Sequence, residues 1–570
     1  MRRSIAHIGV GALVLGGLAV GVAPPAAAQG EVVVATGLDN PRQLSWGDDG
    51  VLLVAEAGSG GDACVTPPGA PPEEGLCGGS TGGITAIEDP GGADGAAGRV
   101  VDGLFSLAGP DGSFAIGSNG ADDTDLDGEY LVAEGNFPFG PLPPELLAAA
   151  GADTLAHLVV VEPDGEQQLV VPYADLAAAE TELNPDGAQD ESNPYAVLFV
   201  DPTPDGTAGE DGYALVADAA ANTVWRVEPD FAAVPGDCVG DACIPPYTIT
   251  AFAAFPTPAG DDVTPEYVPT SLVTDDDGNV YVGGLGSEVT GAAEVRKYSP
   301  DGEELEAWTG FTTITGLAVD GAGEHLYVAQ LFGSDPLAAP TGVPGNVVDV
   351  DVAAGTYRSV DVPFPGGVAV SADDEVYVSA YSVAPAEGIA ATPMSPATPG
   401  GEVWRIDFAD SEDAGLPVAF PQDTGGVWAP ATAYLEPYPE LCGGVFVSSG
   451  DLLGEWLVTR DDGGDRIEYR GAATVDVLGP DGTVLVDELD VSGEGSVFLG
   501  ADGSQEYDLA GPNWISAFPE ELAAFEAAGL PADFYYTSGS FTETISADGE
   551  VELLSTPTDA VEFCSLLPVA

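Results

Sequence analysis

One acidic stretch of the chain has the residue spacing of a calcium-binding loop. Asp123, Asp125 and Asp127 alternate with other residues, a glycine follows, and Glu134 stands at the twelfth position. Hard cations such as Ca²⁺ prefer several oxygen ligands, and this spacing can supply them. Residues 129–133 have the composition of a strand, so the helix that an EF-hand needs after its loop is not expected. Two interpretations stay open: a Ca²⁺ loop between strands using the three aspartates, and an acidic hairpin turn.

A second set of candidates recurs at one point of a repeated phrase. The phrase is a short apolar strand, an Asp/Gly turn and a second apolar strand. The residues at the end of each second strand form a column: Glu56, Glu134, Asp218, Gly284, Gln330 and Ala380. Arg42 and Asn193 open first strands, so we expect them beside this column. The predicted ligand-binding residues on this channel rim are Arg42, Glu56, Glu134, Asn193, Asp218 and Gln330.

These rim residues also leave two interpretations open. Carboxylate and amide oxygens could hold Ca²⁺ or a polar ligand. Alternatively, the rim only hydrates a channel, because several carboxylates are expected by chance in so acidic a chain. The two histidines outside the N-terminal segment, His157 and His325, are expected to have strand or surface roles. No Ser-His-Asp set is evident in the sequence.

The repeats indicate the architecture that positions these residues. Six units can be recognised, and their paired strands begin near Pro41, Ser113, Pro194, Pro269, Gly316 and Gly366. A third and a fourth strand follow in most units, with turns rich in Gly and Asp. Repeats of this length with four strands each predict a six-bladed β-propeller. The last unit lacks an evident fourth strand, whereas Val32–Leu38 precedes the first pair, so we predict that this N-terminal strand closes the ring.

The remaining segments define the predicted domains. Residues 1–28 read as a signal peptide, 29–408 as the propeller, 409–441 as a Pro/Gly-rich linker and 442–570 as a smaller β-rich domain with one short helix. We expect helical excursions from the propeller at 144–147 and 173–183. Arg2 and Arg3, an apolar run and an Ala-rich cleavage site predict secretion to the extracellular space without a membrane anchor.

The charge balance is extreme and excludes some partners. The chain has 94 acidic and 12 basic residues and a net charge of −82. Removal of Arg2 and Arg3 with the signal peptide would leave 10 basic residues and a net charge near −84. Such a surface repels phosphate backbones and anionic membranes, so we expect no nucleic-acid or membrane partner. Adaptation to salt and generic acidic solubility both explain the composition.

Six cysteines fit an exported protein. Pairing of near neighbours predicts the bridges Cys64–Cys77, Cys238–Cys243 and Cys442–Cys564, out of fifteen possible connectivities. The last bridge would tie the first strand of the C-terminal domain to its final segment. The absence of a C-x-x-C pattern and the scarcity of histidine argue against a zinc site.

Several phrases resemble the ScyD/ScyE family of exported NHL-like propellers. They are Thr36–Arg42, Val54–Gly58, Asp190–Tyr195 and Phe311–Thr312, within residues 31–408. The resemblance implies a six-bladed propeller and no established reaction. The phrases Leu441–Gly444 and Phe563–Leu567 resemble a small secreted actinobacterial domain of unknown function.

These observations favour a binding or scaffold module over an enzyme. The ligand would be a small molecule or an extracellular protein or polysaccharide, with Ca²⁺ as a candidate stabilising ion and no other cofactor expected. The alternative is a Ca²⁺-dependent lactonase or esterase that uses the channel rim. Fold analogy alone does not decide between them.

Overall fold

The structure is a computed structural model. It describes residues 32–47, 50–66, 75–91, 96–124, 129–136, 142–144, 146, 154–164, 167–188, 190–200, 212–229, 237–239, 242–244, 246–256, 265–288, 291–332, 345–389, 397–408, 429–430, 435–438, 445–452, 455–461, 464–478, 484–500, 504–516, 522–530, 534–546, 551–557 and 559–566. Contacts divide the chain into two compact units, with the first twenty-seven strands in one and the rest in the other. The predicted signal peptide lies outside the described residues.

The first unit is built almost entirely of strands. In chain order they are β1 (Val32–Leu38), β2 (Pro41–Trp46), β3 (Leu52–Glu56), β4 (Ala63–Val65), β5 (Leu76–Glu88), β6 (Ala96–Ala108), β7 (Ile116–Asp123), β8 (Tyr130–Glu134), β9 (His157–Asp164), β10 (Gln167–Asp175), β11 (Pro194–Val200), β12 (Tyr213–Asp218), β13 (Thr223–Pro229), β14 (Asp237–Val239), β15 (Ala242–Ile244), β16 (Tyr247–Ala254), β17 (Pro269–Thr274), β18 (Val280–Gly284), β19 (Ala293–Tyr298), β20 (Glu304–Phe311), β21 (Ile314–Val319), β22 (His325–Gln330), β23 (Asn346–Asp351), β24 (Thr356–Asp361), β25 (Val368–Val370), β26 (Val376–Ala380) and β27 (Gly401–Ile406). One helix, α1 (Leu176–Leu183), follows β10.

Most of these strands form six antiparallel four-stranded blades; β6 also pairs with β7, so the first two blades are continuous in one sheet, and β4 pairs with β5 beside the first blade. From the channel outward the blades are β2-β3-β5-β6, β7-β8-β9-β10, β11-β12-β13-β16, β17-β18-β19-β20, β21-β22-β23-β24 and β25-β26-β27-β1. The inner strands of neighbouring blades contact each other around the whole ring. The prediction of a six-bladed propeller is therefore confirmed.

The N-terminal strand closes the ring as predicted. β1 pairs antiparallel with β27, from Val32 opposite Arg405 to Leu38 opposite Gly401. The last blade thus takes its outer strand from the beginning of the chain and its other three from residues 368–406. This closure pairs β27 on both of its edges.

The six largest apolar clusters among the described residues lie one between each pair of neighbouring blades. Alternation along β3 shows how they form: Leu52 and Val54 pack toward the last blade, whereas Leu53 and Ala55 pack toward the second. All four side chains are almost fully buried. Because successive side chains of a strand point to opposite faces, a blade buried on both faces needs apolar residues at every position. The continuous apolar runs of the repeated phrase meet this need.

The helical excursion starts later than the sequence predicts. Residues Tyr173 to Asp175 continue β10, and α1 begins at Leu176. The side chain of Asp175 accepts a hydrogen bond from the backbone N–H of Ala178 at 2.9 Å and so caps the helix. The excursion predicted at 144–147 lies largely outside the described residues.

The second unit is the predicted smaller β-rich domain. Its strands are β28 (Ala429–Pro430), β29 (Leu435–Tyr438), β30 (Val445–Leu452), β31 (Glu455–Asp461), β32 (Gly464–Arg470), β33 (Ala473–Leu478), β34 (Val484–Asp490), β35 (Glu494–Gly500), β36 (Gln505–Ala510), β37 (Asn513–Ser516), β38 (Phe534–Thr537), β39 (Ser540–Ile545), β40 (Val551–Ser555) and β41 (Val561–Glu562). A seven-stranded, a four-stranded and a three-stranded sheet contain them. The helix α2 (Leu522–Ala528) places Phe525 against Phe541 of β39. β28 and β29 fall within the segment predicted as a linker and pair with β31 and β30.

One predicted disulfide is present among the described side chains. Cys64 of β4 and Cys77 of β5 are bonded. Cys238 and Cys243 face each other across β14 and β15, but their side chains lie outside the described residues. Cys564 is disulfide-bonded, and its predicted partner Cys442 lies outside the described residues. Among the described residues, no helix is both long and apolar enough to span a membrane.

Candidate ligand-binding rim

The strand register brings the predicted rim positions to one side of the propeller. In five blades a residue at or near the start of the inner strand lies opposite the last residue of the second strand. These pairs are Pro41 with Glu56, Ser118 with Glu134, Pro194 with Asp218, Pro269 with Gly284 and Ile314 with Gln330. The sixth position, Ala380, ends its own second strand, β26. The column read from the sequence is therefore a structural column at this rim.

The inner strand is bulged immediately after each of the five paired positions. In four blades the next residue uses its side chain to donate a hydrogen bond to the backbone of the following blade. The four bonds are Arg42 Nη2 to Ala115 O (2.5 Å), Asn119 Nδ2 to Pro194 O (3.1 Å), Thr270 Oγ1 to Ile314 O (2.6 Å) and Thr315 Oγ1 to Pro365 O (2.8 Å). Bulges re-aim side chains, and here they aim them at the neighbouring blade.

Two further bonds complete the ring. Asn222 Oδ1 accepts from the backbone N–H of Val268 at 3.0 Å and so joins the third and fourth blades. Ser379 Oγ donates to Arg42 O at 2.8 Å and joins the last blade to the first. Every blade is thus bonded to the next through a buried side chain. Arg42, predicted as a ligand-binding residue, is a member of this ring.

Gln43 spans the channel itself. Its side-chain amide donates to Thr270 O of the fourth blade at 2.9 Å and to Thr315 O of the fifth at 2.6 Å. The side chain is buried, with 9% of its surface exposed. A side chain from the first blade therefore crosses to the opposite side of the ring at this level of the channel.

Glu56 is buried and engaged by its own blade. It accepts hydrogen bonds from the backbone N–H of Asp39 at 2.7 Å and from Thr85 Oγ1 at 2.5 Å. Arg99 Nη1 lies 3.8 Å from its carboxylate and 3.6 Å from that of Asp39. Burial raises the pKa of Glu56, and Arg99 and the hydrogen bonds partly offset the rise. Arg99 is a basic rim residue that sequence reasoning missed.

Asp218 is surrounded by hydrogen-bond donors. Its carboxylate accepts from Ser192 Oγ at 2.6 Å, from the backbone N–H of Asn193 at 2.7 Å and from Trp225 Nε1 at 3.2 Å. Burial raises the pKa of Asp218, while these donors lower it. The side-chain oxygen of Asn193 accepts from the backbone N–H of Asn136 at 3.0 Å. Asp218 and Asn193 therefore lie in one network that joins the second and third blades.

Gln330 plays the same part in the fifth blade. Its Oε1 accepts from the backbone N–H of Thr312 at 2.5 Å, and its Nε2 donates to Asn346 Oδ1 at 2.7 Å. Like Glu56 and Asp218, it uses the end of a second strand to hold the chain that enters the inner strand of the same blade. Three of the six column positions thus act as a repeated internal clamp.

Glu134 departs from this pattern. Its Oε1 accepts from Ser118 Oγ at 2.6 Å, whereas its Oε2 finds no hydrogen-bond partner in the described part of the chain. The side chain is fully buried. Burial raises the pKa of Glu134 to about 8, so the carboxyl group is mainly protonated at neutral pH. A Cβ added to the next residue, Gly135, would meet the amides of both Asn119 and Asn193.

The candidate Ca²⁺ loop is only partly described. Asp123 ends β7, and Asp125 and Asp127 lie outside the described residues. Glu134 stands at the far end of β8 from this turn, because Tyr130 pairs with Asp123 and Glu134 pairs with Ser118. Glu134 therefore belongs to the rim and not to the loop, and the metal role of the three aspartates stays a prediction.

The two histidines lie at opposite ends of their blades. His157 starts β9 opposite the rim residue Glu134, and its Nδ1 lies 2.7 Å from Leu155 O. His325 starts β22, at the opposite end from Gln330, and its Nδ1 lies 2.7 Å from Asp349 Oδ1. That hydrogen bond raises the pKa of His325. These positions agree with the strand and surface roles expected from the sequence.

Sequence reasoning missed several residues of this network besides Arg99 and Gln43. Ser118-Asn119 and Ser192-Asn193 are the same dipeptide at the entrance of two consecutive blades. That repetition could have revealed Ser118, Asn119 and Ser192 as partners of the rim carboxylates. The sequence contains no such signal for Arg99 and Gln43. Each of them contacts residues that are far from it along the chain.

The comparison with known proteins finds only solved structures of low similarity to report. No family model and no curated protein matches the chain. A structure assigned provisionally as a 6-phosphogluconolactonase from Bacteroides uniformis is 13% identical, with a TM-score of 0.34, over 68% of this chain and 89% of that one. The PQQ domain of a pyranose dehydrogenase from Coprinopsis cinerea is 12% identical, with a TM-score of 0.33, over 67% of this chain and 98% of that one.

The propeller assignment rests on the strand pairing and not on these likenesses. At such values of identity and TM-score, similarity does not extend to activity. Membership of the ScyD/ScyE family stays a prediction.

Proposed function

We propose that this chain is an exported binding or scaffold module whose ligand, a small molecule or an extracellular protein or polysaccharide, docks on the propeller. The observation that supports this proposal is the hydrogen bonding of the rim side chains. Glu56, Asp218 and Gln330 each accept a backbone N–H at the entrance of their own blade. A catalytic cation at these positions would have to displace those donors, which favours a framework role. Their burial supports the same reading.

The acidic surface limits the chemical class of ligand that the protein can bind. With a net charge of −82, the protein repels anions and long anionic polymers at low salt. Neutral, hydroxyl-rich ligands such as uncharged polysaccharides suit this surface best, because they can form hydrogen bonds with it without adding negative charge.

A thermal-shift screen of neutral oligosaccharides and polysaccharides tests this proposal. A saturable rise in melting temperature without turnover of lactones or esters supports it. Asn193→Ala removes one amide of the network and should weaken such binding, whereas Glu88→Gln on the exposed part of β5 should leave it unchanged. Saturable binding that is equal in both variants would mean that the ligand does not bind at the rim.

A Ca²⁺-dependent hydrolase is the second candidate, and Glu134 is the observation that favours it. Its Oε2 is a rim carboxyl oxygen left without an internal donor. A lactone and ester screen with and without EDTA separates the two functions. EDTA-sensitive turnover that is lost in Glu134→Gln would replace the binding proposal with the hydrolase. Calorimetric titration of Ca²⁺ into the wild type and Asp125→Ala/Asp127→Ala tests the acidic loop, and equal heats would remove it as a site.

A further inference from the structure

Arg42 is a buried cation without a carboxylate beside it. The propeller has seven arginine and lysine side chains, and Arg42 is the one among them that is buried, with 9% of its surface exposed. It forms no ion pair with any carboxylate in the described part of the chain. Each of the other six has a carboxylate oxygen within 3.1 Å; they are Arg99, Arg226, Arg296, Lys297, Arg358 and Arg405.

The guanidinium of Arg42 has spare hydrogen-bond donors. Its Nη2 donates to Ala115 O at 2.5 Å, whereas its buried Nε has no acceptor among the described residues. A guanidinium carries five N–H donors in a planar fork and a permanent positive charge. Burial of such a charge without a partner is costly in free energy. An anion bound to the spare donors would remove that cost.

The backbone is closely packed around Arg42, which limits the size of a ligand there. A Cβ added to Gly367 would lie 2.6 Å from Arg42 O and 2.7 Å from Gln43 Cα, and one added to Gly316 would lie 2.7 Å from Gly367 Cα. The inner strands of the first, fifth and last blades therefore approach each other without room for a side chain. Gln43 itself crosses the channel to the fourth and fifth blades. A bulky or extended ligand does not suit this level of the channel.

We propose that the guanidinium of Arg42 binds a small monovalent anion, either chloride or a small carboxylate such as formate. A carboxylate accepts two parallel N–H bonds from the guanidinium fork, and chloride accepts the same donors as a single sphere. In both cases one negative charge balances the one unpaired positive charge. The site is additional to the docking of a neutral ligand proposed above and does not depend on it.

The acidic surface does not prevent this binding. The chain has a net charge of −82, which repels anions at a distance when the ionic strength is low. At physiological ionic strength such repulsion is screened beyond about 8 Å. The guanidinium acts on the anion by direct contact, so its attraction remains. We therefore expect the site to fill at high ionic strength.

A bound anion would stabilise the closed ring, because Arg42 connects three blades. Its side chain bonds to the second blade at Ala115 O, and its backbone carbonyl accepts from Ser379 Oγ of the last blade at 2.8 Å. An anion on the guanidinium would hold the side chain in the position that makes the first of these bonds. The melting temperature should therefore depend on which anion is present, and not on ionic strength alone.

Melting of the whole chain at fixed sodium concentration and fixed ionic strength tests the site. Chloride or formate replaces morpholinoethanesulfonate, an anion too bulky for the packed channel. We expect a saturable rise in melting temperature, and the anion with the stronger effect is the preferred occupant. Arg42→Gln should lose this rise or need about tenfold more anion, because it removes hydrogen bonds to a charged group. Arg226→Gln is the matched control and should respond like the wild type, since Arg226 already pairs with Glu228 at 2.6 Å.

Two results would overturn the proposal. One is the same wild-type melting temperature in chloride, formate and morpholinoethanesulfonate. The other is an equal response of wild type and Arg42→Gln, which would make the anion effect a general one. If Arg42→Gln does not fold, wild-type crystals grown in sodium bromide provide a second measurement, because bromide replaces chloride and scatters anomalously. A bromide peak within hydrogen-bond distance of Arg42 supports the site, and its absence counts against it.

Discussion

The buried carboxyl group of Glu134 should make the propeller less stable at alkaline pH. Its pKa rises from 4.5 to about 8 because the side chain is fully buried. The folded protein therefore holds this proton more tightly than the unfolded chain does. The resulting stability is complete below about pH 4.5, falls as the pH rises and is lost above about pH 8.

The size of the effect follows from the pKa difference. Each tenfold change in proton affinity is worth about 1.4 kcal/mol, so the free energy of unfolding should fall by up to about 5 kcal/mol over this range. Glu134→Gln keeps an oxygen that can accept from Ser118 and cannot ionise. Between about pH 5 and about pH 9, wild type should lose about 4 kcal/mol more stability than this variant, because part of the full difference is already lost at pH 5.

Urea unfolding at high salt, followed by tryptophan fluorescence, measures this difference. High salt screens the general repulsion of the acidic surface, which would otherwise vary with pH. Glu88→Gln, at an exposed position of β5, is the control and should follow the wild-type profile. Parallel pH profiles for wild type and Glu134→Gln would refute the reasoning, because they would mean that Glu134 does not change its protonation on folding.

Further predictions concern the channel residue Gln43, His325 of the fifth blade, the disulfide and the surface charge. Gln43→Ala removes two buried hydrogen bonds and leaves carbonyls unpaired, so it should lower the free energy of unfolding by about 1–3 kcal/mol, measured by urea titration. His325→Gln should lower the melting temperature at acidic but not alkaline pH, because the Asp349 hydrogen bond raises the pKa of His325 and its stabilisation is lost as pH rises. Cys64→Ser/Cys77→Ser should lower the free energy of unfolding by about 3 kcal/mol from loop entropy, measured by urea titration. NaCl should raise the melting temperature; a value indifferent to salt would contradict self-repulsion of the acidic surface.

The repeat made much of the propeller predictable. Strands that recur in a fixed order define blades, and a strand left over at one end together with one missing at the other defines the closure. The same register aligns Glu56, Asp218 and Gln330 from the sequence alone. Local patterns suffice here because each blade repeats the same hydrogen-bonding ladder and the same buried faces.

What the repeat could not supply is the set of partners for each side chain. Gln43 reaches carbonyls that follow it by more than two hundred residues. Glu180 reads as one more acidic residue in an Ala-rich helix, and only the packing of α1 shows that it is buried. The start of α1 was misjudged because Tyr173 suits both a helix and the last residues of an outer strand, and tertiary pairing with β9 decides the matter.

Ring closure by β1 ties the folding of the propeller to the order in which the chain is made. β1 emerges first, but its partner β27 ends at Ile406. At synthesis rates of about 5–20 residues per second, β1 waits on the order of 20–80 s for that partner. During this interval the last blade cannot exist, and the inner strands cannot form a complete circle. Closure is therefore a late, long-range step, of the kind that makes β topologies fold slowly.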